Sequence, residues 1–201
     1  MRAFTRLRPH WQRLGDRQCS RLGLNDITFP FNMANAPHKS GFFFAQEFSF
    51  NYVDNVRHTG LQPRKAKNGA GIVKAVFSSF IDGTTAIHHN CQSRADGGPG
   101  VICAVDVEND YSHTYSFTVK NAGSGTTWKG TLVDTETGYS TDVGESTLPE
   151  GAGKLVRGEG GFVDYLPWNE GSPRTCNLLH LRMSPSKTRL RKPLARVAEM
   201  F

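Results

Sequence analysis

The 201-residue sequence lacks any apolar run close to the ~18 residues that a membrane-spanning helix needs. It contains no Cys-x-x-Cys pair, which argues against a structural zinc site. A phosphate-binding P-loop and a Gly-x-Ser-x-Gly nucleophile elbow are also missing, as is any Asn-x-Ser/Thr glycosylation sequon. We therefore expect no membrane span and no protein-bound metal, and the motifs of two large enzyme classes do not occur.

Positive charge is nearly confined to the two ends of the chain. Residues 1–21 hold six arginines against one acid, and residues 180–201 hold six basic residues against one acid. Of the 24 basic and 18 acidic residues, 12 and 16 respectively remain in 22–179, a net charge of −4. A nucleic-acid-binding face should lie on the folded domain, so we expect no nucleic-acid partner.

The sequence has only four cysteines, and two of them bracket a short glycine-rich segment. Cys91 and Cys103 enclose Gly97, Gly98, Pro99 and Gly100. Four cysteines allow three pairings, and Cys91–Cys103 is the easiest to form. Cys19 and Cys176 could then pair, or all four could be reduced thiols. A Cys91–Cys103 disulfide would indicate an oxidising compartment and contribute about 3 kcal/mol.

The middle of the chain has the pattern of an all-β protein. Strand-like segments rich in aromatic and β-branched residues recur about every ten residues, separated by Gly-rich turns, as in a β-sandwich or barrel. We predict a two-sheet antiparallel β-sandwich over 37–180, flanked by an irregular basic segment over 1–36 and a basic tail over 181–201.

Several strands can be placed individually. Over 42–53 the alternation puts Phe48, Phe50 and Tyr52 on one face. Residues 71–81 are apolar on both faces and predict a central strand after a turn at 68–69. A hairpin is expected about 136–138, and a late strand over 160–168.

The same region resembles a domain family of unknown function found in bacterial and secreted fungal proteins. The resemblance covers roughly 40–178 and rests on the segments TGLQPR, ADGGPGVIC, GTTWKGTLVDTETG and GFVDYLPWN. It implies a secreted β-sandwich, often found near carbohydrate-related modules. It implies no catalytic residue.

Aromatic side chains are the first candidates for ligand binding. Extracellular β-sandwiches often stack aromatic rings on a pyranose face, leaving the polar tip in water. Trp128 lies in a segment with strand alternation, and its ring contacts either a ligand or the protein core. The same two alternatives apply to Trp168. The candidate ligand-binding residues are Tyr52, Tyr111, Trp128, Tyr165 and Trp168.

Acidic residues are the second group of candidates. Asp106 and Glu108 are two apart on a strand and share one face at about 6–7 Å, which suits the two carboxyl groups of a glycoside hydrolase. This spacing is common by chance, however, and is more typical of a solvated strand face. With Asn109 and Asp110 they form an oxygen-rich run that could hold calcium, although no EF-hand pattern surrounds them.

These observations predict a secreted protein whose partner is a polysaccharide or other glycan. A glycan-acting hydrolase of the same fold, with Asp106 and Glu108 as its acids, is the alternative. A secreted protein-interaction module without sugar chemistry is the third possibility, and whether the protein is an enzyme stays open.

Overall fold

The computed structural model describes residues 23–123, 125–156 and 160–165. Within these ranges the chain forms eleven β-strands and one short 3-10 turn at Ala95–Gly97. The strands are β1 Asp26–Asn32, β2 Phe42–Phe48, β3 Arg57–Pro63, β4 Gly71–Ser79, β5 Thr85–Ala86, β6 Cys91–Ser93, β7 Val101–Asn109, β8 Thr114–Asn121, β9 Thr127–Asp134, β10 Ser140–Thr147 and β11 Gly160–Tyr165.

The strands form two antiparallel sheets that pack face to face. One has the order β1-β8-β9-β10-β5, and the other has the order β11-β2-β3-β4-β7-β6. The inward faces share one large apolar core, to which β2, β4, β8 and β9 contribute alternate residues. The prediction of an all-β sandwich is therefore confirmed.

Two local expectations agree with the strand pairing. β4 lies inside the six-stranded sheet between β3 and β7, and seven of its nine residues are buried. The turn before it closes at Asn68 and Gly69, whose φ values of 52° and 81° are typical of the two central residues of a tight hairpin turn. The β9–β10 hairpin also forms, with its turn at 135–139.

The structure corrects the start of the domain and the end of one strand. β1 lies within the segment 1–36 that was expected to be irregular, and its seven residues pair with β8 from Asp26 to Asn32. Pro30 did not prevent this, because an edge strand leaves half of its N–H groups unpaired. β2 ends at Phe48 rather than near 53.

The Cys91–Cys103 disulfide is present, as predicted. The two cysteines face one another across β6 and β7, and Cys103 is fully buried in the core between the sheets. β6 is a three-residue edge strand, so the disulfide joins an edge strand to its neighbour. Short edge strands have few backbone hydrogen bonds, and the covalent link supplements them.

Some expectations concern residues outside the described ranges. These are residues 1–22 of the basic N-terminal segment, the basic tail over 181–201, the Cys19–Cys176 pairing and Trp168. Within the described part of the chain, no helix is long and apolar enough to cross a membrane.

Candidate functional site

Two of the predicted ligand-binding aromatics are core residues. Trp128 on β9 is 1% exposed, and its ring packs edge-to-face on Phe50 at 4.7 Å. Tyr111 is 6% exposed, and its hydroxyl donates to the Ile72 carbonyl oxygen at 2.7 Å. These positions correct the prediction, because neither ring can stack on a sugar in solution. Strand alternation turns Trp128 inward, and a backbone acceptor holds the Tyr111 hydroxyl.

The remaining predicted aromatics differ from one another. Tyr165 on β11 is half-buried against the core, 4.9 Å from the Phe42 ring, which makes it a poor stacking platform. Tyr52 is 88% exposed, but it lies in the loop after β2 with φ 65°, so it does not share the inward face of Phe48 and Phe50. A positive φ is uncommon for a bulky residue, and here it directs the ring into solvent.

Asp106 and Glu108 occupy alternate, exposed positions of β7, so they share one face as predicted. Asp106 lies 3.8 Å from the Lys74 ammonium on the neighbouring strand β4. Glu108 instead borders a small cleft at the end of the sandwich. Asp106 therefore takes part in a surface ion pair, whereas Glu108 lines the cleft.

That cleft, called here the Tyr139 cleft, lies where β7 approaches the β9–β10 hairpin. Its floor is formed by the buried side chains of Val107, Tyr115 and Leu132. Glu108, Asp134, Tyr139 and Thr141 complete its lining. Tyr139 is 68% exposed, and the cleft encloses only about 20 Å³, enough for one water molecule. A larger ligand would therefore lie over the cleft, not within it.

The β9–β10 turn holds Tyr139 and Asp134 in place. The Asp134 carboxylate accepts hydrogen bonds from the backbone N–H groups of Glu136 and Thr137 at 2.9 and 3.2 Å. The Asp134 N–H in turn donates to the Tyr139 carbonyl oxygen at 2.9 Å. Aspartate is favoured at this turn position because its short side chain can bond to the backbone two residues ahead. The exposed ring therefore stands on an ordered turn.

His113 adds a titratable group beside the cleft. Its Nδ1 is 2.9 Å from the Asp134 carboxylate, and its Nε2 is 3.8 Å from Asp110 and 3.9 Å from Glu136. The hydrogen bond to Asp134 raises the pKa of His113 above 6.5, and all three carboxylates act in the same direction. Partial burial raises the pKa of Asp134, but hydrogen bonds from His113 and the backbone outweigh it and lower the value to about 2.

This pair predicts a specific pH dependence. A histidine with a raised pKa stabilises the fold below pH 6.5 and loses that contribution as pH rises through its folded pKa. Asp134 stabilises the fold above about pH 3.8 and loses its contribution as pH falls towards 2.

In Asp134→Asn, which keeps the oxygen that caps the turn, we expect the His113 pKa to fall. An NMR titration of the imidazole measures it.

The control for this titration is Asp106→Asn, because Asp106 contacts Lys74 on another part of the surface. It should leave the His113 titration unchanged. An Asp134→Asn protein in which His113 titrates as in the original chain would contradict the assignment.

The potential metal ligands of the described residues do not form a metal-binding set. Among residues 23–123, 125–156 and 160–165, no set of three or more His, Cys, Asp and Glu side chains is arranged to hold a metal ion. The oxygen-rich run considered for calcium does not converge: Asp106 is near Lys74, while Asp110 accepts both the N–H and the hydroxyl of Ser112.

Tyr139 is not among the residues that the sequence pattern indicated for ligand binding. The signal was present, because Tyr139 directly follows the predicted turn at 136–138, and loop ends on rigid scaffolds are common positions for binding groups. What sequence alone did not show is that β7 brings Glu108 to the same place.

Compared with known proteins, the chain matches no family model, no curated protein and no solved structure. The fold and disulfide define it as an all-β sandwich protein with an internal cross-strand link.

Proposed function

We propose that this protein binds a glycan at the Tyr139 cleft. The observation that carries the proposal is the exposed Tyr139 ring beside the carboxylates of Glu108 and Asp134 and the hydroxyl of Thr141. Sugar-binding surfaces combine an apolar ring face with polar groups at its rim. These four side chains supply both in one place.

Each group has a distinct part in the proposed complex. A pyranose ring stacks on Tyr139, and its hydroxyl groups donate to the carboxylate oxygens. Because its pKa is about 2, Asp134 is ionised above about pH 4 and acts only as an acceptor. The shallow cleft leaves much of the sugar in water, so affinity for a single sugar unit should be weak, on the order of millimolar.

The electrostatics favour binding over hydrolysis. A glycosidase needs a carboxylic acid whose pKa is raised so that it can donate a proton. Hydrogen bonds from Ser112 lower the pKa of Asp110, and Asp134 is lowered to about 2. Asp106 pairs with a lysine instead of a second acid. We therefore place the hydrolase second, and a protein-interaction role third, because carboxylates flank the exposed ring.

Location outside the cytosol is part of the same proposal. The Cys91–Cys103 bond is of the kind that persists in oxidising compartments, and the resemblance to secreted proteins points the same way. Intact mass after alkylation of the native protein without reductant tests it. Labelling of Cys91 and Cys103 in protein from the native host would contradict secretion.

The binding test compares two exposed tyrosines at opposite ends of the sandwich. We expect Tyr139→Ala to weaken retention on the bound polysaccharide about tenfold or more, equivalent to about 1.4 kcal/mol, because the stacking platform is lost. Tyr139→Phe should retain binding, since the ring remains. Affinity electrophoresis against a polysaccharide panel, with NMR titration of the best ligand, provides the measurement.

Tyr52→Ala is the matched control, because Tyr52 is also exposed but does not line the cleft. Loss of binding in Tyr52→Ala with full binding in Tyr139→Ala would move the site to the other end. No retention of the original chain on any polysaccharide, even at millimolar sugar, would remove the proposed function.

A further inference from the structure

Arg57 at the start of β3 is the most unusual charged residue of the described chain. Its side chain is fully buried between the two sheets, where Nη2 donates a hydrogen bond to the Ser146 hydroxyl on β10. Its guanidinium carbon lies 4.2 Å from the centre of the Phe77 ring and 5.6 Å from that of Phe50. Arg57 thus crosses from one sheet to the other through an aromatic region.

The guanidinium is only partly satisfied. Its Nε and Nη1 atoms are buried and have no hydrogen-bond partner among the described residues. Unpaired buried donors are rare in native proteins, because each one loses its water without replacement. Arg57 carries two such donors on one side chain.

The charge is also unbalanced locally. Burial lowers the pKa of Arg57 to about 9, and no carboxylate of the described chain offsets this effect. The adjacent acids face outward: Glu47 pairs with His58 at 3.1 Å, and Glu145 alternates with the inward-facing Gly144 and Ser146. Buried charges are normally paired, and the described chain provides no partner for this one.

We propose that Arg57 binds a small monovalent anion, of which chloride is the simplest, inside the β-sandwich. The anion would accept a hydrogen bond from Nε or from Nη1. The Nη2 N–H that does not bond to Ser146 lies beside one of these groups and would face the anion as well. A water molecule could accept the same bonds, but it would not balance the charge. The site is at the core, separate from the Tyr139 cleft, and does not depend on glycan binding.

The first experiment compares thermal unfolding in chloride and in gluconate at equal ionic strength and pH 7. Gluconate is too large for a closed core site. At 0.2 M salt we expect the Tm to be about 3–6 °C higher in chloride, since a ligand that binds only the folded state stabilises it. Arg57→Met should lose this difference. Arg94→Met, which removes an exposed arginine, should keep it.

The second experiment does not require the variant to fold. Crystals of the original chain grown in sodium bromide should show an anomalous bromide peak within hydrogen-bond distance of Arg57 Nε or Nη1. A well-ordered Arg57 with no such peak would overturn the proposal and assign these donors to water. An equal chloride effect in the original chain and in Arg57→Met would also overturn it, because the effect would then arise at the surface.

Discussion

Trp128→Ala should destabilise the protein by about 3–5 kcal/mol, the range for deleting a large buried aromatic side chain. Trp128 is among the largest fully buried side chains of the described chain, and it packs on Phe50 between the sheets. Removing it leaves a cavity that the rigid sheets cannot close. Urea denaturation followed by circular dichroism measures the change in the free energy of unfolding.

Trp128→Phe separates packing from ligand binding. The phenyl ring retains most of the contact with Phe50, and the substitution deletes the indole N–H, which has no hydrogen-bond partner among the described residues. We expect a loss of about 1 kcal/mol and no change in affinity for a polysaccharide. Loss of binding at full stability would return Trp128 to the binding site and contradict its assignment to the core.

Gly144→Ala should destabilise the protein by about 3 kcal/mol, the upper part of the range for overpacked cores. Gly144 on β10 lies against the Cys91–Cys103 disulfide of the opposite sheet. A Cβ atom there would be 2.4 Å from Cys103 Cβ, 2.6 Å from Cys91 Sγ and 2.7 Å from Cys103 Sγ. A disulfide between paired strands has little freedom to move, so the sheets themselves would have to separate.

The matched control is Gly160→Ala, another strand glycine, whose added Cβ would meet nothing within 4 Å. Its effect should stay within about 0.5 kcal/mol. In a Cys91→Ala/Cys103→Ala background, Gly144→Ala should cost less by about 1 kcal/mol or more, because two of the three close contacts disappear. Strict additivity in this double-mutant cycle would show that Gly144 and the disulfide do not interact.

The fold was predictable where the signal is local. Alternation along the strands identified the central strand β4 and the β9–β10 hairpin, because period-2 burial is imposed residue by residue in a sheet. The disulfide was predictable because the two cysteines are only twelve positions apart, with strand-like sequence on both sides. Tyr52 was misplaced for a related reason: the regular strand ends at Phe48, Phe50 keeps a single bridge to Leu155, and alternation carries no information beyond the last paired residue.

The sites were less predictable, because they depend on which strands become neighbours. Trp128 and Tyr139 lie on the same hairpin, yet one is fully buried and the other is largely exposed. Both are large aromatics next to turns, so composition does not separate them. Their difference arises from position: Trp128 lies within β9 and packs on Phe50 between the sheets, whereas Tyr139 lies in the turn between β9 and β10.

By itself, the sequence determined the all-β class of this chain and indicated the Cys91–Cys103 link, since strand period and short-range cysteine spacing are local properties. Only the tertiary structure decided that Tyr139 meets Glu108 at one end and that Arg57 is buried among Phe50, Phe77 and Ser146. Those groups are brought together by the register of the strands and the packing of the sheets. Tyr139 and Glu108 are 31 positions apart in the sequence, and Arg57 and Ser146 are 89 positions apart. Residue patterns carry no signal over such separations.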